Sequence, residues 1–275
     1  MKRLIRISVR MAVLVSVLQG LSSCAGDAAC GDVIETLSVR TAQTKVHMDA
    51  LMQTSWNQRD AVSVFYGSYV NERWVYSGKS GSPSGVLQHQ GPARKADGRI
   101  AALYPYHMRN IMSGSSVTSM IPEEQTFVPG SFDSKAAVMT GQSSDRRSLD
   151  FSFAVSFLAL ELTGTVSGEI TGFELRSRGG EPVAGDCLVN IDSQDRAAVI
   201  EGEGYSKIKL TADSETSVKL SATPLLCVFA LAPGVYTEGF EIDVFFSGGK
   251  QRKVMDSLKR ELRPGCMHII PCTLK

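Results

Sequence analysis

The chain reads as a mainly β protein, with many short strands packed as sandwiches. Three observations lead there. Apolar residues alternate with polar ones in Val62-Ser63-Val64-Phe65-Tyr66, Lys207 to Leu210, Val218 to Leu220 and Glu241 to Phe246, the period of half-buried strands. Turn-forming clusters recur at Ser80-Gly81-Ser82-Pro83, Arg178-Gly179-Gly180, Gly202-Glu203-Gly204, Pro233-Gly234 and Gly248-Gly249. Helical periodicity is scarce; Met48 to Met52 and Val254 to Leu262 are its best short candidates. Such a pattern suits sandwiches better than a parallel sheet.

The first 24 residues fix the destination of the chain. Lys2, Arg3, Arg6 and Arg10 precede an apolar run from Met11 to Leu18, and small residues lead to Leu21-Ser22-Ser23-Cys24. Residues 1–23 read as a secretory signal peptide, too short to span a bilayer as a mature helix. The end of it resembles a bacterial lipobox, which implies cleavage between Ser23 and Cys24 and a lipid on the Cys24 thiol. An ordinary signal peptide followed by a chance cysteine is the plainer alternative. A diacyl or triacyl cysteine would anchor the chain stably by itself, and no second apolar segment approaches 18 residues.

Beyond the signal peptide, residues 24–44 form a tether or first strand. Asp32 to Arg40 has strand length, places Val33, Leu37 and Val39 on one face, and ends at Arg40. Two sandwich domains follow, 45–143 and 148–275. Between them runs the polar stretch Gly141 to Arg147, and Leu149 to Leu162 opens the second core. About 250 residues suffice for two such cores. The last strand spans Met267 to Leu274, and Pro271, which has no N–H, sets it at an edge or at its own end.

The 29 basic and 28 acidic residues nearly balance, so no nucleic-acid partner is implied. Besides Cys24 there are Cys30, Cys187, Cys227, Cys266 and Cys272. Export permits disulfides without assigning them. In one straight strand Cys266 and Cys272 would stand roughly 20 Å apart, too far to pair unless the segment turns. Cys187 and Cys227 suit buried free thiols equally well.

Catalytic patterns are missing. His47, His89, His107 and His268 form no H-E-x-x-H pair, and the cysteines have no C-x-x-C spacing, so no metal or cofactor is expected. Gly81-Ser82-Pro83-Ser84-Gly85 lacks a central serine, and Arg73 stands where Gly78-Lys79-Ser80 would need the first glycine of a phosphate loop. Nothing fixes the separation of Glu123, Glu124 and Asp145 as a glycosidase requires. Trp56, Trp74, Tyr66, Tyr69 and Tyr76 read as core aromatics, Trp74 being the more exposed of the two tryptophans.

Four segments carry a resemblance. They are Thr44-Lys45 with Trp56, Asp60 and Val62 to Phe65; Ala101-Ala102-Leu103-Tyr104-Pro105-Tyr106; Leu149-Asp150-Phe151 with Leu158 to Leu162; and Val228 to Tyr236. In this order, after a lipobox, they resemble the fimbrillin family of Bacteroidetes. The sequence departs from that pattern at Gln58-Arg59, where a glycine before the acidic residue is usual. The resemblance implies two transthyretin-like β-sandwich domains and a non-enzymatic subunit of cell-surface fimbriae, lipid-anchored in the outer membrane. It also implies trimming after an arginine, here Arg40, and assembly by strand exchange with other subunits or copies of itself. Met267, Ile269 and Ile270 belong to the natural donor strand. A surface lipoprotein that binds host glycans or proteins without polymerising is the alternative reading.

Overall fold

The structure, a computed structural model, describes residues 34–41, 54–67, 70–92, 95, 98–143, 145–212 and 218–275. The signal peptide, Ser23, Cys24, Cys30, Val33, Met48 to Met52 and Tyr69 lie outside them. Among the described residues there are strands and no helix. In chain order the strands are β1 (Thr36–Thr41), β2 (Ala61–Phe65), β3 (Glu72–Tyr76), β4 (Ser84–His89), β5 (Ile100–Tyr104), β6 (Met112–Ser113), β7 (Ser116–Ile121), β8 (Glu124–Thr126), β9 (Met139–Ser143) and β10 (Ser148–Phe153). The chain continues with β11 (Ser156–Gly164), β12 (Glu169–Ser177), β13 (Gly185–Asn190), β14 (Ala198–Ile200), β15 (Lys207–Thr211), β16 (Val218–Lys219), β17 (Leu225–Leu231), β18 (Gly234–Tyr236), β19 (Phe240–Phe246), β20 (Gln251–Asp256), β21 (Arg260–Leu262) and β22 (Met267–Leu274).

Seven strands close into a barrel in the order β1-β10-β9-β5-β2-β3-β4. Its neighbours run antiparallel, except that β1 lies parallel to β10. Strand alternation aims Leu37, Val39, Val62, Val64, Tyr76, Leu87, Leu149 and Phe151 into one core, each no more than 1 % exposed. Trp56 sits at its centre, stacked on Tyr76 at 5.8 Å and edge-on to Phe151 at 5.1 Å and Tyr104 at 5.6 Å.

Trp74 departs from expectation: it is fully buried. On β3 it shares the inward parity of Glu72 and Tyr76, while its neighbour Arg73 points outward over the Tyr106 ring at 5.8 Å. The polar run at 141–147 begins inside β9 and continues as the turn into β10. There the Asp145 carboxylate accepts the Arg147 and Ser148 amides at 2.8 Å, bonds that hold its carboxyl well below the usual range. Beyond this turn β10 pairs with β9 and β1, so Leu149 and Phe151, read as the opening of a second core, belong to the barrel.

The same continuous core extends from the barrel into two further sheets, the three-stranded β17-β11-β22 and a six-stranded one containing β20-β19-β12-β15-β8, with β16 beside β12. Phe173 of β12 meets Phe229 of β17 edge-on at 6.4 Å and Phe127 at 5.2 Å. A four-stranded sheet, β14-β13-β7-β6, joins segments from both halves of the sequence, and β18 pairs with β21.

Val254 to Leu262 is not helical. Val254 is 8 % exposed, Leu258 62 % and Leu262 6 %, so the three apolar positions four apart share no face. Instead β20 alternates against β19, and a turn leads to β21. Cys187, Cys227, Cys266 and Cys272 are all free thiols.

Candidate functional site

The sequence directs attention to the two terminal strands, and both hold unusual places. Strand β1 closes the barrel between β4 and β10. Leu37 and Val39 face the core with Thr41, whose hydroxyl donates to the Thr54 carbonyl at 3.1 Å. Arg40 faces solvent and makes a bidentate contact with Asp150, at 2.9 and 3.2 Å, across the parallel pair. Arg40 does not end the strand as expected. The next amide, Thr41, donates to the Pro83 carbonyl at 3.0 Å, so the Arg40–Thr41 bond lies within a ladder. A protease needs an extended segment free of its partners, so cleavage here requires β1 to open first.

Strand β22 is the outer strand of the three-stranded sheet and runs parallel to β11. Phe157 donates to the Cys266 carbonyl at 2.9 Å and Thr165 to the Leu274 carbonyl at 3.3 Å. By parity, even-numbered residues of β22 bond β11, while Met267, Ile269, Pro271 and Thr273 direct their backbone groups outward. Pro271 therefore stands in the outward row, where a missing N–H removes no existing bond. Ile270 and Leu274 face the core at 9 % and 6 % exposure, whereas Ile269 is 39 % exposed on the other face. Burial holds the His268 imidazole below its ordinary value, and the nearby Arg260 adds to this.

The sheet's other edge is sealed. Gln125 Nε2 donates to the Ala230 carbonyl at 2.7 Å, Gln125 Oε1 accepts the Ala230 amide at 3.2 Å, and Gly130 donates to the Leu226 carbonyl at 2.9 Å. A side chain and a loop thus occupy the β17 edge, and no backbone bond among the described residues occupies the outward row of β22.

Two features escaped the sequence. The side chains of Glu72 and His89 are both buried: the Glu72 carboxylate accepts the Tyr66 hydroxyl at 2.5 Å and lies 2.8 Å from His89 Nε2. They are 17 positions apart and meet only because β3 and β4 pair. The second is a cleft of about 760 Å³ between the loop after Pro105 and strands β7, β8 and β13. No three His, Cys, Asp or Glu side chains among the described residues are grouped to hold a metal ion.

No protein family profile matches the chain, and no curated protein does. Solved structures do. One, from Bacteroides ovatus and described as a "putative cell adhesion protein", superposes with a TM-score of 0.59 at 13 % identity, covering 88 % of this chain and 92 % of the other. A protein of the same description from Bacteroides uniformis gives 0.53 at 10 % identity, over 87 % and 92 %. The chain shares their fold. At such identity the likeness fixes the path of the backbone and leaves site chemistry to this chain's own residues.

Proposed function

We propose that the chain is an exported lipoprotein, cleaved between Ser23 and Cys24 and anchored through Cys24, that serves as a structural or accessory subunit of cell-surface fimbriae. It assembles by exchange of β-strands. The observation that carries this reading is the seat of β1, a terminal strand that closes a barrel from between β4 and β10. Its loss would leave a groove with unpaired backbone on both sides and pockets vacated by Leu37 and Val39, the arrangement that strand addition fills. The open outward edge of β22 and its position at the end of the described chain support Met267, Ile269 and Ile270 as parts of the donor. The closed barrel and the sheets that follow it support a division into two transthyretin-like domains, with β10 falling to the first.

The non-polymerising alternative draws on two observations. The bidentate Arg40–Asp150 contact and the Thr41–Pro83 bond hold β1 in its own barrel. N-terminal sequencing of material sheared from cells, with electron microscopy of the same sample, separates the two. Filaments whose chains begin at Thr41 are expected; detergent-released monomer still beginning at Cys24 would overturn the assembly reading.

A further inference from the structure

The cleft carries more negative charge than its surroundings neutralise. Glu124, Asp186 and Glu201 are exposed on its wall and form no ion pair among the described residues. Asp186 and Glu201 are adjacent, the Glu201 amide donating to the Asp186 carbonyl at 2.9 Å. With burial, their charges push the Cys187 thiol behind them up to about 12. Asp133 is spoken for, accepting the Thr126 and Lys135 amides at 2.8 and 2.9 Å. Against these stand Arg109 and Lys135. Between the charges lie exposed apolar side chains, Ile111 at 61 % and Met120 at 51 %, with Met108 of the same loop at 80 %.

A surface of opposite charge lies elsewhere on the same chain. Residues 250–263 contain Lys250, Arg252, Lys253, Lys259, Arg260 and Arg263 against only Asp256 and Glu261. Lys253, Arg260 and Arg263 are paired within the chain. Lys250 and Lys259 form no ion pair among the described residues, and Arg252 donates to the Lys275 main chain at 3.2 Å. Met255 and Leu258 stand between them, 48 % and 62 % exposed.

Topology decides what these two surfaces can do. Glu124 is on β8, at one edge of the six-stranded sheet, and β20 is at the other. Four strand spacings, about 19 Å in all, separate β8 from β20, so Glu124 does not meet the β20 charges within one molecule. We infer that the cleft receives the β20–β21 edge of a second copy of this chain. Opposite charges would steer and orient the encounter, and methionine, leucine and isoleucine side chains would be covered by it. Because the two patches differ, the contact is heterologous and propagates head to tail, into a ring where its rotation closes and an open filament where it does not. It uses neither β1 nor β22 and stands apart from strand exchange.

Charge reversal tests it on the full chain, dispersed in detergent and followed by sedimentation velocity. One variant carries Glu124→Lys, Asp186→Lys and Glu201→Lys; the other carries Lys250→Glu, Arg252→Glu and Lys259→Glu. The expected wild-type behaviour is concentration-dependent association that weakens as salt rises from about 50 to 500 mM. Each variant alone should associate at least tenfold more weakly, and an equimolar mixture should recover, since the reversed cleft fits the reversed edge. Monomeric wild type, variants that associate as wild type does, or a mixture that stays apart would each overturn the proposal. The single reversals Asp186→Lys and Lys259→Glu, alone and mixed, carry the same test should a triple variant fail to fold. Strand exchange is judged separately by the N-terminal residue of sheared material, so either idea can fail without the other.

Discussion

Arg59 illustrates how one residue can carry a turn it does not suit. It stands where the resembled family has glycine, and its φ of 75° is in the left-handed region that other L residues avoid. Its amide nonetheless donates to the Tyr76 carbonyl at 3.1 Å, and Asp60 accepts the Asn57 amide at 2.7 Å, so the turn keeps its bonds with an arginine in it. Arg59→Gly relieves the strain and regains part of the cost as unfolded-chain entropy. The expected net gain is about 0.5–1 kcal/mol, read from urea unfolding; a loss would show that the arginine side chain is needed. Glu181 behaves differently. Burial works to raise its carboxyl, but the Ser177 and Thr237 hydroxyls and the Thr237 amide together lower it from 4.5 to about 2. The folded state thus binds this proton more weakly than the unfolded chain. The resulting stabilisation is complete above pH 4.5 and is lost as pH falls toward 2. Glu181→Gln should therefore melt below wild type at pH 7, with the gap closing as melts are repeated from pH 5 to pH 2; a gap independent of pH would assign the difference to packing.

At the scale of elements, alternation marked strands whether or not one face is wet. Strand β15 alternates between core and solvent as its sequence does, whereas Ser63 of β2 and Asp243 of β19 are buried polar residues, so there the pattern located the strand without marking a wet face. The terminal strand was also legible, because Pro271 carries its edge position in its own chemistry. By contrast, Val254 to Leu262 offered a helical spacing that β19 overrides by supplying a complete antiparallel partner. Trp74 was misread as the more exposed tryptophan, because which face of β3 turns inward is set by its pairing with β2 and β4. The cleft and the Glu72–His89 pair were invisible because their members meet only through strand pairing. Two predictions belong here. The Arg40 and Asp150 side chains are 68 % and 60 % exposed, so Asp150→Ala should cost under about 1 kcal/mol despite the bidentate geometry; a greater loss in chemical denaturation would mean that this pair holds the barrel shut. Gly164, at φ 149°, lies against the backbone of Leu274 so closely that any Cβ would collide with it. Gly164→Ala should displace the end of β22, seen as faster amide exchange at Cys272 and Leu274 than in the wild type, with exchange in Ile208 to Leu210 of the other sheet unchanged.

For the whole molecule the question is what the barrel becomes without β1. Leu37 and Val39 are buried completely, and each such side chain stabilises by about 1.5–3 kcal/mol. Together with the ladder bonds, their loss removes a large share of the roughly 5–15 kcal/mol typical of a folded protein. A chain trimmed at Arg40 should thus be marginal alone and regain stability from a strand laid between β4 and β10. A peptide copying Met267 to Lys275 is the proposed occupant, and Pro271 sets its limit. At the outer edge of its own sheet proline removes no bond, but between two partners one ladder position is left without a donor. The expected result is a higher melting temperature of the trimmed chain with the peptide, and a further rise when the peptide carries Pro271→Val. If the native peptide produces no shift while a peptide of Thr36 to Thr41 does, the groove selects its own strand and β22 is not the donor.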